Sequence, residues 1–287
     1  MAAPPSFLER RRRGSVRLSA GLALVVGLLA WAGRSADLAH QPLAGAGTTS
    51  PLPIGAVLAL TGNANVYGQD QRLGLQLGET WAQAQAQPQA QSKPVRRPLA
   101  IVLEDGGSDE ASATAAFNLL IRRGVLALVG PTLSQQAFAA DPIAERRGVP
   151  VVAPSNTATG IPQIGYFISR VSAQSSVIAP LSLEEALRRQ PGLKRVAVFY
   201  AQDDAYSTAE TAIFQRALAN RGLHPVSVQR TQLGDNDFQN PISAALREGP
   251  ELIVISAQAV DGGNLVRQLR ELGYRGQIVV GNGMNTP

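Results

Sequence analysis

Short apolar runs alternate with longer stretches of helical periodicity along most of this chain. Ile54–Leu60, Leu99–Leu103, Val125–Val129 and Val149–Val152 are near-continuous runs dominated by Val, Ile, Leu and Ala. Runs of that kind, rather than strict alternation, are what a strand needs when a parallel sheet buries both of its faces. Between them the apolar spacing lengthens. Leu73, Leu75, Leu77 and Trp81 belong to a helix after the first run. Asp109 and Glu110 open another, in which Ala113, Ala116, Phe117, Leu120 and Ile121 recur at helical spacing. Acids in its first turn and Arg122-Arg123 in its last suit the helix dipole. Ser134 to Arg147 reads as a third helix. The alternation predicts a parallel α/β unit.

A break follows. Ser155 to Gly165 is rich in Ser, Thr, Asn, Gly and Pro, and Tyr166 to Arg170 reads as an extended crossing segment. A second α/β series then begins. Helices are predicted over Ser175–Arg189, Tyr206–Arg221, Phe238–Arg247 and Asp261–Leu272, and strands over Val196–Tyr200, Val226–Gln229, Leu252–Ile255 and Ile278–Val280. The fold class is α/β, with two lobes that are each a parallel sheet flanked by helices. The first lobe is placed at residues 51–165 and the second at 166–287. The Gln/Ala stretch from Trp81 to Gln91 reads as a frayed helix end and surface loop.

Residues 1–50 read differently. Arg10 to Arg13 and Arg17 form a basic segment, Leu18 to Gly33 follows without a charge, and small-residue sites come next. That is the pattern of a secretory signal, with cleavage expected between about residues 32 and 50 and an uncleaved anchor as the alternative. The apolar run is shorter than the ~20 residues a spanning helix needs. The net charge of +5 is largely a property of this leader, because from Pro51 onward 20 Lys and Arg face 19 Asp and Glu. A mature region without a basic stripe and with few aromatics is not a nucleic-acid binder. The absence of cysteine excludes disulfides, thiolate metal sites, cysteine catalysis and a lipid-modified cysteine.

Candidate chemistry sits in loops at strand ends. Gly130-Pro131-Thr132-Leu133-Ser134 follows one apolar run, and Ala153-Pro154-Ser155-Asn156-Thr157 follows the next. Ligands of open parallel sheets bind outside the carboxyl ends of the strands, where helix N-termini offer unpaired N–H groups to a small anion. The competing reading makes Ser134 a helix N-cap and Thr157 a plain loop residue. Tyr67 in the first series joins these loops, as do Tyr206, the Ser256–Asp261 segment and Asn282 in the second. Facing lobes would bring them to one cleft. Phosphate-loop, dinucleotide, zinc-protease and nucleophile-elbow motifs are missing, and the two histidines, His40 and His224, assemble no catalytic set. Asp203-Asp204, Asp105 and Asp109 read as helix caps rather than cation ligands. The chain therefore reads as a binding protein rather than an enzyme, with no metal or cofactor.

These residues resemble the periplasmic solute-binding proteins of the leucine/isoleucine/valine-binding type, which feed ABC importers. The resemblance runs from about Pro53 to the C-terminus. It is carried by the order and spacing of Leu60-Thr61-Gly62 with Tyr67-Gly68, Val129-Gly130-Pro131 through Ser134, Pro154 through Thr157, Asp203-Asp204-Ala205-Tyr206, Asp237-Phe238 and the Leu265–Gly273 helix. It implies a two-lobed fold that closes on its ligand, a periplasmic location, a membrane permease as partner and a monomeric state. Ser134 and Thr157 then fall where an α-carboxylate is held, with Ser155 and Asn156 beside them, and Tyr67 and Tyr206 wall the cleft. Asn282 falls where amino-acid binders place an acidic residue for the α-ammonium, so amides and urea-like solutes join amino acids as ligand classes. The family continues beyond the position matched by Pro287, so the first lobe is expected to be incomplete and to expose apolar surface. A sensory domain on the same fold, or a non-functional truncated fragment, is the alternative reading.

Overall fold

A computed structural model describes residues 50–86 and 97–286. The leader, and the part of the Gln/Ala stretch beyond Ala86, lie outside the described residues. Two parallel sheets organise the rest. The first has five strands in the order β2-β1-β3-β4-β5: β1 (Leu52–Leu58), β2 (Leu99–Asp105), β3 (Ala127–Val129), β4 (Val151–Ala153) and β5 (Ile168–Arg170). The second has four in the order β7-β6-β8-β9: β6 (Val196–Ala201), β7 (Pro225–Thr231), β8 (Leu252–Ser256) and β9 (Gln277–Val280). Seven helices connect them: α1 (Asn65–Ala86), α2 (Glu110–Arg122), α3 (Ser134–Arg147), α4 (Ser175–Arg189), α5 (Ala205–Ala219), α6 (Gln239–Arg247) and α7 (Ala259–Glu271).

One boundary differs from the sequence expectation. The segment 166–170, expected to open the second lobe, belongs to the first: Ile168, Ser169 and Arg170 pair with Val151, Val152 and Ala153 at the edge of the first sheet. The chain leaves that sheet only after Arg170.

Strand alternation explains how the second sheet is filled. Val196 and Val198 face α4 and α5 with Phe214 and Leu218, whereas Ala197 and Phe199 face α6 and α7 with Phe238, Ile242 and Leu269. All four central positions are fully buried, so this sheet is covered on both faces. The first sheet packs one face against α2 and α3 through Phe117, Leu120, Leu128, Ala137 and Ala144. Helix α1 lies against its Ala59–Ala64 end, and the apolar positions Leu73, Leu77 and Trp81, four residues apart, are exposed at 55%, 73% and 65%. Among the described residues no helix is long and apolar enough to cross a membrane.

Strand order also positions the site. In the first sheet the chain runs from β1 outward to β2, then returns to the other side of β1 with β3. In the second, β7 and β8 flank β6 in the same way. Each sheet thus has one point where successive connections leave in opposite directions, opening a crevice at the strand carboxyl ends.

Candidate functional site

The two crevices face each other and form one cleft of about 290 Å³. The first sheet contributes Tyr67, Thr132, Ser134, Ser155 and Thr157. The second contributes Tyr206, Gln258, Asn282 and Gly283, and the connection between the sheets supplies Ser172, Ala173 and Ile178. Six of the seven residues singled out in the sequence therefore line one space. Asn156 does not. It is fully buried, its amide donates to the Thr132 carbonyl at 3.0 Å, and its own carbonyl accepts from Arg170 at 3.1 Å and Ser172 at 3.3 Å. Side chains alternate along an extended loop, so Ser155 and Thr157 reach the cleft while Asn156 pins the loop from behind.

Ser134 is not the N-cap of α3. Leu133 occupies that position, and its N–H is satisfied by the Gln136 side chain at 3.1 Å. Ser134 is the first helical residue, and its hydroxyl accepts from the Ala158 N–H at 3.4 Å. Only 3% exposed, it stands beside first-turn N–H groups that no helix can satisfy internally.

A network missed in the sequence fixes these loops. The Thr132 hydroxyl donates to Gln71 at 2.7 Å and accepts from the Ala59 N–H at 2.9 Å. The Gln71 amide donates to Ser155 at 2.7 Å, and the Ser155 hydroxyl donates to the Thr132 carbonyl at 2.7 Å. The available signal was Gln71 itself, one helical turn after Tyr67 on the same face.

Direct hydrogen bonds join the two halves. The Tyr67 hydroxyl donates to the Gly283 carbonyl and accepts from the Ala259 N–H at 2.5 Å. The Gly283 N–H donates to the Tyr206 hydroxyl at 2.7 Å, which in turn donates to Glu210 at 2.6 Å. Thr157 donates to the Asn282 side-chain oxygen at 3.3 Å. Burial raises both phenols above the ordinary tyrosine range, so each keeps the proton it donates. Burial also lifts Glu210 to about 7, against the opposing effect of the Tyr206 hydrogen bond.

Two of the aspartates cap helices as expected. Asp109 and Asp204 cap α2 and α5, accepting from the N–H groups of Ser112 and Ser207 at 2.8 Å and 3.0 Å. Asp105 instead ties a turn, accepting from Leu60, Gly107 and Thr61.

Residues 51–287 match the family described as periplasmic binding protein. A Leu/Ile/Val-binding protein of Rhizobium johnstonii is 25% identical over 87% of this chain and 65% of its own length. Among solved structures, a leucine-binding protein from Thermotoga maritima is 28% identical with a TM-score of 0.72, covering 82% of this chain and 65% of that one. A substrate-binding protein from Streptococcus pneumoniae, solved with isoleucine, shares the fold at 23% identity and a TM-score of 0.71, covering 80% of this chain and 64% of that one. This chain thus spans a little under two thirds of the relatives it matches. These relatives are binding proteins rather than enzymes. From its two parallel-sheet halves and a family match that spans residues 51–287, the chain belongs to the periplasmic binding proteins of the leucine/isoleucine/valine-binding type.

Proposed function

We propose that this chain is the extracytoplasmic substrate-binding component of an ABC importer, holding a small polar solute in the cleft and presenting it to a membrane permease. The observation that carries this reading is the convergence of Tyr67, Ser134, Ser155 and Thr157 from one sheet with Tyr206 and Asn282 from the other. Opposed halves around a polar cleft suit hinge closure on a ligand. The basic and apolar N-terminal segment and the family support a periplasmic location. Amino acids, amides and urea-like solutes are the ligand classes to screen. We assign residues 51–170 to the first lobe and 171–287 to the second.

Within this reading Ser134 and Thr157 hold the ligand's carboxylate or carbonyl end. A hydrogen bond to a charged group contributes about 1.5–3 kcal/mol, a loss of roughly ten- to a hundredfold in affinity when removed. Ser134→Ala and Thr157→Val are each expected to weaken the tightest ligand by that amount in calorimetric titration. Because Ser134 serves no cap, Ser134→Ala should lower folding stability by less than about 1 kcal/mol. Unchanged affinity in both variants would remove these hydroxyls from the site.

A further inference from the structure

We propose that the cleft selects a small carboxylate carrying no ammonium group, such as a 2-oxo, 2-hydroxy or aromatic acid, over the amino acid of the same skeleton. This rests on the binding reading above and names the class of ligand for the same site. Among the described residues, no Asp, Glu, Lys, Arg or His lines the cleft. An ammonium group moved from water into such a space finds only neutral oxygen acceptors, and without a counter-charge its lost hydration is poorly replaced.

Three carboxylates lie close by and none lines the cleft, although Asp204 and Asp261 act on the Tyr67 phenol that does. Asp204 is fully buried, with one oxygen accepting from the Ser207 N–H and hydroxyl at 3.0 Å and 2.6 Å and from the Gln258 amide at 3.1 Å. It is Gln258, not Asp204, that meets the cleft. Glu210 is also fully buried, engaged by the Tyr206 hydroxyl and covered by Gly281, where any side chain would overlap it. Its proton affinity is raised, so part of its charge is absent near neutral pH. Asp261, 3% exposed, accepts from the Gly234 N–H at 3.0 Å. Asn282, the side chain that does face the cleft, is an amide.

The field of the backbone has the opposite sense. Helices α1, α3 and α4 all begin at the cleft, and none has an acidic residue in its first turn. Their N-terminal ends therefore place partial positive charge around it, offset at α4 by Glu210 beside Ser175. Ser134, nearly fully buried at the start of α3, donates its hydroxyl proton to no group among the described residues. Neutral walls and converging helix N-termini, with the nearby acids held by their own hydrogen bonds, together favour an anion over a cation.

The test is calorimetric titration of the full chain with three compounds of one skeleton: 4-methyl-2-oxopentanoate, leucine and 4-methylpentanamide. Pyruvate with alanine, and phenylpyruvate with phenylalanine, repeat the comparison for smaller and larger bodies. The expected result is that, in at least one series, the oxo acid binds about tenfold or more tightly than the amino acid, and tighter than the amide where one is tested. Asn282→Asp, which places a carboxylate on the cleft wall, should move the preference toward the amino acid by a similar factor. Equal or tighter binding of the amino acids, or tightest binding of the amide, overturns the inference and leaves the binding function standing. Binding of no compound in any series overturns both.

Discussion

Replacing Asp141 by asparagine is expected to stabilise the protein at pH 8 while changing little near pH 4. Asp141 sits inside α3, is fully buried, and neither of its oxygens has a hydrogen-bond partner among the described residues. Burial alone lifts its carboxyl from 3.8 to about 8. The folded chain therefore holds a proton that the unfolded chain releases above about pH 4. Stability linked to this group is fully present below the unfolded value and is lost progressively as pH rises toward 8. Each pH unit crossed between those two values removes about 1.4 kcal/mol, so the loss across this window is on the order of several kcal/mol. Glu210, raised to about 7, adds a slope of the same sign, but it is common to both proteins. Urea unfolding of the wild type and Asp141→Asn at pH 4, 6 and 8 isolates the Asp141 contribution as a widening gap. A constant gap would mean that Asp141 is ionised or solvated in the folded protein.

Gly68→Ala is expected to destabilise the first sheet and to damage the site with it. A Cβ at Gly68 would overlap the carbonyl group of Ala59, directly after β1. The obstructing atoms are backbone, so no rotamer relieves the contact, and α1 must move as a body. Overpacking of this kind costs about 1–3 kcal/mol, occasionally more. Tyr67 and Gln71 ride on the same helix, so displacement would also pull Tyr67 from Gly283 and Ala259, and Gln71 from Thr132 and Ser155. A lowered melting temperature accompanied by weaker ligand binding is the anticipated pair of results. An alanine variant with wild-type stability and affinity would show that α1 does not approach β1 this closely.

Sheets and helices are legible in the sequence because their apolar runs are long and uninterrupted. The strand at Ile168–Arg170 is not assignable to its sheet from sequence, because three residues alternating apolar, polar and basic identify no particular neighbour. Periodicity places Leu73, Leu77 and Trp81 on a helix, yet it says nothing about what covers them, and the structure leaves them exposed. Hydroxyl-rich loops ending buried strands single out Ser134, Ser155 and Thr157, other strand ends add the two tyrosines and Asn282, and the structure gathers all six around one cleft. Asn156 groups with its neighbours in the sequence because the facing of successive loop residues is not written there. Gln71, Gln258 and Glu210 escape notice because their roles depend on partners brought near only by tertiary folding. Gln71 meets Thr132 across 61 positions and Gln258 meets Asp204 across 54.

A small solute is expected to be held between both halves at once. Hydrogen exchange followed by mass spectrometry, with and without a saturating amount of the tightest compound from the titration series, tests it directly. Added protection is expected at residues 133–137 and around Thr157 on the first sheet, together with residues 258–259 and 281–284 on the second. Protection confined to one half, or none in these segments despite measurable binding, would contradict it.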